Sequence, residues 1–232
     1  MRYSLARSAF DCLLPPLWVL VVITLIPSGL VRADDNLATI EQVGYLNAGS
    51  IRSVGNHNGL EIEQLGNQQT ARVDVRGLDN SVALAQSGVQ SVAIASLAAE
   101  RSKVIALQQG VMNQISITTE GTSALTQVSQ AGNNNDALIQ QFGTKNESLV
   151  VQEGSSNDAQ MLQLGDSNIA QMSTIGHDND LAVKQDGYGN MTDIRTEGTS
   201  NMVNIQQGGN AGIRVEIIGD GREMAINQRP GW

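Results

Sequence analysis

The sequence contains few aromatic residues and almost no cysteine. Phe, Trp and Tyr make up 3% of its 232 residues, and there is one Cys. Aromatic rings normally supply the largest buried areas of a core, so their scarcity argues against an ordinary close-packed globular domain. A single cysteine excludes an internal disulfide. Basic residues are also scarce, with 14 Lys and Arg against 23 Asp and Glu, and this acidic balance disfavours nucleic acid as a partner because phosphates require a basic surface.

The first 33 residues differ in composition from the rest of the chain. Arg2 and Arg7 lead into an apolar stretch at residues 13–26, and residues 31–33 (Val-Arg-Ala) offer a small-residue cleavage site. This arrangement is typical of a secretory signal peptide. The apolar stretch is interrupted by two prolines and is shorter than the roughly 20 residues of a membrane-spanning helix. We therefore expect residues 1–33 to be a signal peptide, whose removal would leave an exported chain without cysteine.

Glycine recurs at a fixed interval through most of the remaining sequence. Of sixteen positions spaced eleven residues apart between residues 44 and 209, fifteen are glycine and one is Ala99. Only 24 of the 232 residues are glycine, so this regularity defines an internal repeat. We expect these residues to form the turns, and they are Gly44, Gly55, Gly66, Gly77, Gly88, Gly110, Gly121, Gly132, Gly143, Gly154, Gly165, Gly176, Gly187, Gly198 and Gly209.

Four other positions of the repeat keep their character. Counted from each glycine, position +3 is mostly Asn, +5 is small or β-branched, +7 is apolar and +9 is often Gln. A spacing of two is that of a β-strand with all four side chains on one face. Eleven-residue repeats also form right-handed coiled coils, but a glycine in every repeat would cost a helix about 1 kcal/mol each. We therefore predict strands of about seven residues, joined by tight turns that are built on the glycine.

Two repeats make one 22-residue coil of strand, turn, strand and turn. The predicted fold is all-β: an amyloid-like β-solenoid of stacked two-strand coils over residues 34–212, with about nine coils in the exported chain. One coil cannot fold alone, because its two large apolar residues contribute about 3 to 6 kcal/mol while ordering its backbone costs several times more. The outward positions are expected to be largely polar, with Leu149, Val151 and Ile213 as exceptions. We expect residues 213–232 to be a degenerate repeat, a cap or an attachment segment, or else a frayed terminus.

Stacking places residue i over residue i+22 and turns like positions into ladders. Buried amides are costly unless they are paired, and amides stacked on their own kind are paired continuously, as in cross-β assemblies. One Gln ladder is expected on the first strands of the coils in the first half of the repeat region. Another is expected on the second strands of the coils in the second half, so the ladder changes sides near the middle. The facing positions hold Ser53, Val75, Leu97 and Thr119 in the first half and Thr174 and Thr196 in the second. The predicted ladder residues are Gln42, Gln64, Gln86, Gln108, Gln130 and Gln152; Gln141, Gln163, Gln185 and Gln207; and Asn135, Asn146, Asn157, Asn168, Asn179, Asn190 and Asn201.

Two segments resemble the curlin repeat, S-x5-Q-x-G-x-x-N-x-A-x3-Q. They are Gln130-x-Gly132-x-x-Asn135-x-Ala137-x3-Gln141 and Gln152-x-Gly154-x-x-Asn157-x-Ala159-x3-Gln163, with Ala124 and Asn146 at the leading Ser position. Curlins are the subunits of curli, the extracellular functional amyloid of bacterial biofilms. The resemblance implies export through the periplasm, passage through an outer-membrane secretion pore, and strand-edge stacking on other curlin subunits in a fibre at the cell surface.

Within that family the chain resembles the minor subunit, which nucleates polymerisation of a major curlin and supports adhesion and biofilm. The similarity lies in residues 152–157 and in the irregular segment 224–229. Two alternatives stay open: a major subunit that forms the bulk of the fibre, and a monomeric β-solenoid that acts as an adhesin or binds a ligand.

An enzyme is not expected. The two histidines, His57 and His177, have no Cys or Ser partner at nucleophile spacing in the sequence, and the regular glycines do not form a nucleotide-binding loop. The segment 177–180 (His-Asp-Asn-Asp) could hold a metal, but residues that favour turns explain it as well. We therefore expect no cofactor, no metal and no small-molecule substrate.

Overall fold

The computed structural model describes residues 35–229, and the predicted signal peptide lies outside them. The described chain contains eighteen β-strands in two nine-stranded sheets, and these stack into a β-solenoid of about nine turns. This confirms the predicted fold class. Within the described residues, no helix is long and apolar enough to cross a membrane.

Odd-numbered strands form one sheet, here the odd sheet, and even-numbered strands form the other, the even sheet. The odd sheet contains β1 (Leu37–Tyr45), β3 (Gly59–Asn67), β5 (Ser81–Val89), β7 (Lys103–Val111), β9 (Leu125–Asn133), β11 (Glu147–Ser155), β13 (Ile169–His177), β15 (Met191–Thr199) and β17 (Gly212–Ile218). The even sheet contains β2 (Ala48–Val54), β4 (Thr70–Arg76), β6 (Val92–Glu100), β8 (Gln114–Thr122), β10 (Asp136–Thr144), β12 (Asp158–Asp166), β14 (Asp180–Tyr188), β16 (Met202–Gly208) and β18 (Glu223–Gln228).

Neighbouring strands pair in parallel with a shift of 22 residues. In the odd sheet, for example, Gln42 pairs with Gln64, and the same shift continues to Gln86. Most strands have nine residues, not the predicted seven, because parallel pairing extends through the glycine and one residue beyond it, as at Gly44 and Tyr45. The repeat glycine therefore belongs to the end of the strand ladder, and the chain reverses in the residues that follow it.

Each turn except that at residues 209–211 places the second residue after the repeat glycine, or after Ala99, in the left-handed region. Its φ lies between 53° at Arg101 and 59° at Gln90 in the turns where it is not glycine. This conformation is uncommon outside glycine. The strain is offset by a backbone hydrogen bond to the coil before, as from Gln68 N to Tyr45 O at 2.8 Å. The turns are therefore held by stacking on each other and not only by their own sequence.

The core is a narrow seam between the two sheets. Positions +3, +5, +7 and +9 point inward, and the largest fully buried apolar side chains include Ile62, Leu84, Ile117, Ile139 and Ile205. Nine strands at a spacing of about 4.8 Å give a rod of roughly 40 Å.

The last coil continues both sheets with one residue fewer. Met191 pairs with Gly212, a shift of 21 residues instead of 22. Met191 N donates to Ala211 O at 2.8 Å, in the way that Ile169 N donates to Asn190 O one coil earlier. Ala211 therefore takes the place that Asn190 has in the preceding coil. The turn at residues 209–211 thus lacks the left-handed residue. One consequence is that Ile213 pairs with Thr192 and packs against the core, so its predicted outward position was wrong.

Candidate functional site

Two ladders of buried glutamines run along the seam. Each side chain donates from Nε2 to Oε1 of the glutamine one coil later, with distances of 2.8 Å from Gln64 to Gln86 and from Gln130 to Gln152. The ladder of the odd sheet joins Gln42, Gln64, Gln86, Gln108, Gln130 and Gln152, and the ladder of the even sheet joins Gln141, Gln163, Gln185 and Gln207. All donors point the same way, so each ladder has a direction.

The same amides also connect the two sheets. Most ladder glutamines donate a second Nε2 proton to a backbone carbonyl at the start of the preceding strand, as from Gln163 to Glu147 O at 2.9 Å and from Gln130 to Gln114 O at 3.0 Å. A buried ladder amide therefore forms hydrogen bonds both to the next glutamine along the rod and to the backbone of the opposite sheet. These contacts fix how one sheet lies on the other.

Three buried hydroxyl groups complete the ladder of the even sheet. Thr126 Oγ1 donates to Gln141 Oε1 at 2.6 Å, Ser148 Oγ lies between Gln141 and Gln163, and Thr192 lies between Gln185 and Gln207. Sequence reasoning placed these residues only among small or β-branched ones. A signal was present, because the corresponding positions Leu60, Val82 and Val104 of the first half are apolar.

The asparagines at position +3 line both turn edges. Asn157, for example, accepts a hydrogen bond at Oδ1 from Asn179 N and donates from Nδ2 to Gly176 O at 3.0 Å. The seven predicted asparagines, Asn135, Asn146, Asn157, Asn168, Asn179, Asn190 and Asn201, are all buried. Gln69, Ser91 and Ser102 occupy the same position in earlier coils and are buried there too. Most of these amides thus bind turn backbone of a neighbouring coil, whereas Asn190 donates to Asn168 Oδ1 and to Asp186 O of its own coil.

The glycine column brings backbones into close contact. A Cβ on Gly132 would lie 1.9 Å from Gly154 O, and similar contacts recur from Gly44 to Gly198. The φ of Gly132 is 119°, which L-residues rarely adopt. Glycine is therefore required at these positions for two reasons: the backbone has a positive φ, and the carbonyl oxygen one coil away leaves no room for a Cβ.

Three aspartates stack on the outer face of the even sheet. Asp136 pairs with Asp158, which pairs with Asp180. Burial raises the pKa of Asp136, and repulsion from Asp158 raises it further, against a lowering by a backbone hydrogen bond from Ala137. Burial, followed by repulsion from Asp158, also raises the pKa of Asp180. Ionising this column therefore opposes folding.

We predict that Asp158→Asn stabilises the protein at neutral pH. A carboxyl whose pKa is higher in the folded state binds protons more tightly there, so its contribution to stability is lost as the pH rises through the folded pKa and regained below the ordinary value. Removing Asp158 lowers the pKa of its two neighbours, so the gain should shrink as the pH falls to 3.8, the ordinary pKa of an Asp carboxyl. Urea unfolding at both pH values measures this. Glu120→Gln, which removes a charge from neighbouring β8, is the control, and an equal gain there would contradict the prediction.

Stacking also corrects one statement from the sequence analysis. His177 does have a serine partner: Ser155 Oγ lies 2.7 Å from His177 Nδ1, one coil away, on an exposed turn edge. Reasoning along the chain missed it because the two residues are 22 positions apart. In the described part of the chain, no group of three or more His, Cys, Asp or Glu residues is placed to hold a metal ion.

The solenoid ends in strands that are paired on one side only. Within residues 35–229, β1 and β2 are the outermost strands at one end, and β17 and β18 are outermost at the other. Such strands carry unpaired backbone N–H and C=O groups, which can template another strand. The two ends are the candidate functional sites of this molecule.

Comparison with known proteins agrees with the repeat geometry. A model of the Curlin associated repeat family matches residues 33–66 and 132–165. No curated protein and no solved structure matches the chain. The matched segments share one register, since residues of β1 and β3 pair at a shift of 22, as do those of β10 and β12. The chain therefore carries curlin associated repeats, set in a solenoid of the same 22-residue coil, and this supports a relationship to the curlin-repeat family.

Proposed function

We propose that this chain is a structural subunit of an extracellular curli-type fibre and that it grows or starts the fibre through its open strand edges. The observation that carries the proposal is that the apolar seam runs through the whole described rod to strands paired on one side only, and that the odd-sheet Gln ladder begins on one of them, β1. A further chain can add there by strand pairing.

The two ends can join while keeping the register of the coil. If β1 of a second copy follows β17, Ile40 lies over Val215 and Gly44 lies over Gly219, and if β2 follows β18, Ile51 lies over Ile226. Apolar and glycine columns thus continue across the junction. Glu41 would lie over Glu216, so the junction contains one pair of like charges, and we expect added salt to favour joining by screening their repulsion.

We further propose that the chain acts as the minor subunit and nucleates a major curlin. Support comes from its resemblance to nucleator repeats at residues 152–157 and 224–229. Its partners would be the major subunit and the outer-membrane secretion machinery that delivers both to the cell surface. The alternative is a bulk subunit, which would polymerise by itself and need no second chain.

A thioflavin T assay of the chain without residues 1–33 tests this function. We expect fibrils from the chain alone and a shorter lag for a major curlin at substoichiometric amounts. Growth without any effect on a major curlin would indicate the bulk role. A chain that stays monomeric by light scattering and leaves the lag unchanged would contradict the proposal. It would favour a monomeric β-solenoid, although Thr119, Thr174 and Thr196 are buried and so form no outward Thr array for a ligand.

The edge mechanism makes a prediction of its own. Ile226→Lys places a charge on the inward column of terminal strand β18, and we expect it to slow elongation about tenfold or more, since joining would bury that charge. Ala225→Lys changes the exposed outward neighbour on the same strand and should leave elongation within about twofold. Seeded thioflavin T kinetics measure both rates. Equal slowing by the two variants would contradict growth at this edge.

A further inference from the structure

The outer face of the odd sheet has an uncharged centre. Between β5 and β13, the two middle outward columns contain no charged residue. They pair in register as Ala83, Ile105, Gln127, Leu149 and Gln171, and as Ala85, Leu107, Ser129, Val151 and Ser173. We name these ten residues the central face. Leu107 is 49% exposed, so apolar surface is open to solvent in a chain with a net charge of −9.

The central face consists of ridges and grooves. Strands β7 and β11 carry large apolar pairs, Ile105 with Leu107 and Leu149 with Val151, whereas β5 carries two alanines. A groove of about 280 Å³ lies over β5, between Leu65 and Leu107. Ridges therefore alternate with lower strands at twice the strand spacing, roughly 9.6 Å.

A second copy of this chain fits this relief in one orientation. A two-fold axis parallel to the strands, between β7 and β9, places β7 on β9 of the other copy and β11 on β5. Ile105 and Leu107 then face Gln127 and Ser129. The ridge of β11 fills the groove over the alanines of β5. Leu107 thus meets the small Ser129, and Leu149 and Val151 meet the two alanines of β5, so side chains of the two faces can interdigitate at these positions.

Charges favour the same orientation. The axis places Glu61 and Glu63 of β3 opposite the neutral Gln171 and Ser173 of β13, and Glu41 of β1 opposite Arg195 of β15. Packing the two rods in parallel would instead place the β3 glutamates on each other and ridge on ridge. Like charges in opposition are destabilising, so the antiparallel arrangement is selected.

The contact area is sufficient for a weak but specific interface. Six strands, β3 to β13, span about 29 Å along the rod and about 23 Å across it. The pair would bury about 1,300 Å² in total, within the range of specific interfaces. In a fibre the contact recurs in each subunit, which adds avidity.

We infer that two solenoids associate side by side, in antiparallel orientation, through the central face of the odd sheet. This goes beyond strand-edge growth: it assigns a lateral interface between copies of this chain. The corresponding uncharged stretch of the even sheet is shorter, from β6 to β12, because Arg72 and Asp74 lie on β4 and Lys184 lies on β14.

Thiol cross-linking tests the register directly. In a Cys12→Ser background, we expect a mixture of Ala85→Cys and Val151→Cys chains to give a covalent dimer with a short bis-maleimide, at least fivefold above either variant alone, because β5 faces β11 of the other copy while two copies of β5 lie about 14 Å apart along the rod. The matched control is a mixture of Ser96→Cys and Leu162→Cys, which are three strands apart in the same way on the even sheet. A dimer yield from the mixture that equals the control, or one that equals each variant alone, would overturn the inference.

A charge series separates lateral association from growth. Leu107→Lys with Val151→Lys should halve the mass per length of fibres in electron microscopy, while Ile94→Lys with Leu138→Lys on the even sheet should leave it unchanged. Unchanged mass per length in the first variant would overturn the inference and leave the fibre function standing. If the unmodified protein formed no fibres at all, the proposed function would be contradicted. The cross-linking experiment in solution would then still test the lateral interface.

Discussion

Replacing Gly132 by alanine is expected to lower the free energy of unfolding by about 3 kcal/mol or more. The new Cβ would lie 1.9 Å from Gly154 O, in a backbone with φ of 119°. The neighbouring coil has no room to move away, because the same spacing recurs one coil later, where a Cβ on Gly154 would lie 1.9 Å from Gly176 O. Since each coil is stabilised by its neighbours, a break in the middle of the rod weakens both halves. Urea unfolding followed by circular dichroism measures the effect.

Gly59→Ala is the matched control for that variant. Gly59 begins β3, its φ is not positive, and a Cβ there would meet no atom within 4 Å. We expect a change within about 0.5 kcal/mol. Equal unfolding midpoints for the two variants would show that the glycine column has no steric role. Ala99 is consistent with the argument, because its backbone does not have the positive φ of the column glycines.

Gln163→Leu is expected to cost about 2 to 4 kcal/mol. Gln163 is fully buried. Its Oε1 accepts from Gln141 and Ser148, and its Nε2 donates to Gln185, Glu147 O and Asn168 O. Leucine has a similar volume but leaves these partners without their bonds inside the seam. An unpaired buried polar group is more costly than a hydrogen bond is favourable, so the loss exceeds that of one bond.

Gln160→Leu provides the control on the same strand. Gln160 points outward from β12, is exposed, and donates only to Asp158 Oδ2 at 3.1 Å. We expect its unfolding midpoint to differ little from that of the unmodified protein, by about 0.5 kcal/mol or less. If both leucine variants unfold at the same urea concentration, the ladder does not stabilise the fold.

Much of the fold could be predicted because the repeat is written directly in the sequence. An interval of eleven residues and a spacing of two between special positions determine strand, face and stacking partner together. Once Gln64 is placed over Gln42, every other column follows. This is why the β-solenoid fold was predicted correctly without any knowledge of distant contacts.

The details that escaped prediction all depend on contacts between coils or between sheets. Thr126 and Ser148 looked like space-filling residues until the even-sheet ladder was seen to face them. Ser155 met His177 only through stacking. Ile213 turned inward because one turn is a residue shorter, and the sequence does not show which residue of a turn is missing.

The sequence by itself determined the period, the strand faces and the identity of the ladders, because side-chain alternation and glycine placement are local properties of the backbone. Only the tertiary structure decided strand length, the direction of the amide ladders, the hydroxyl contacts across the seam and the relief of the outer faces. These depend on how one sheet lies on the other and on how each coil lies on the next, and that geometry is set by hydrogen bonds between residues 7 to 22 positions apart.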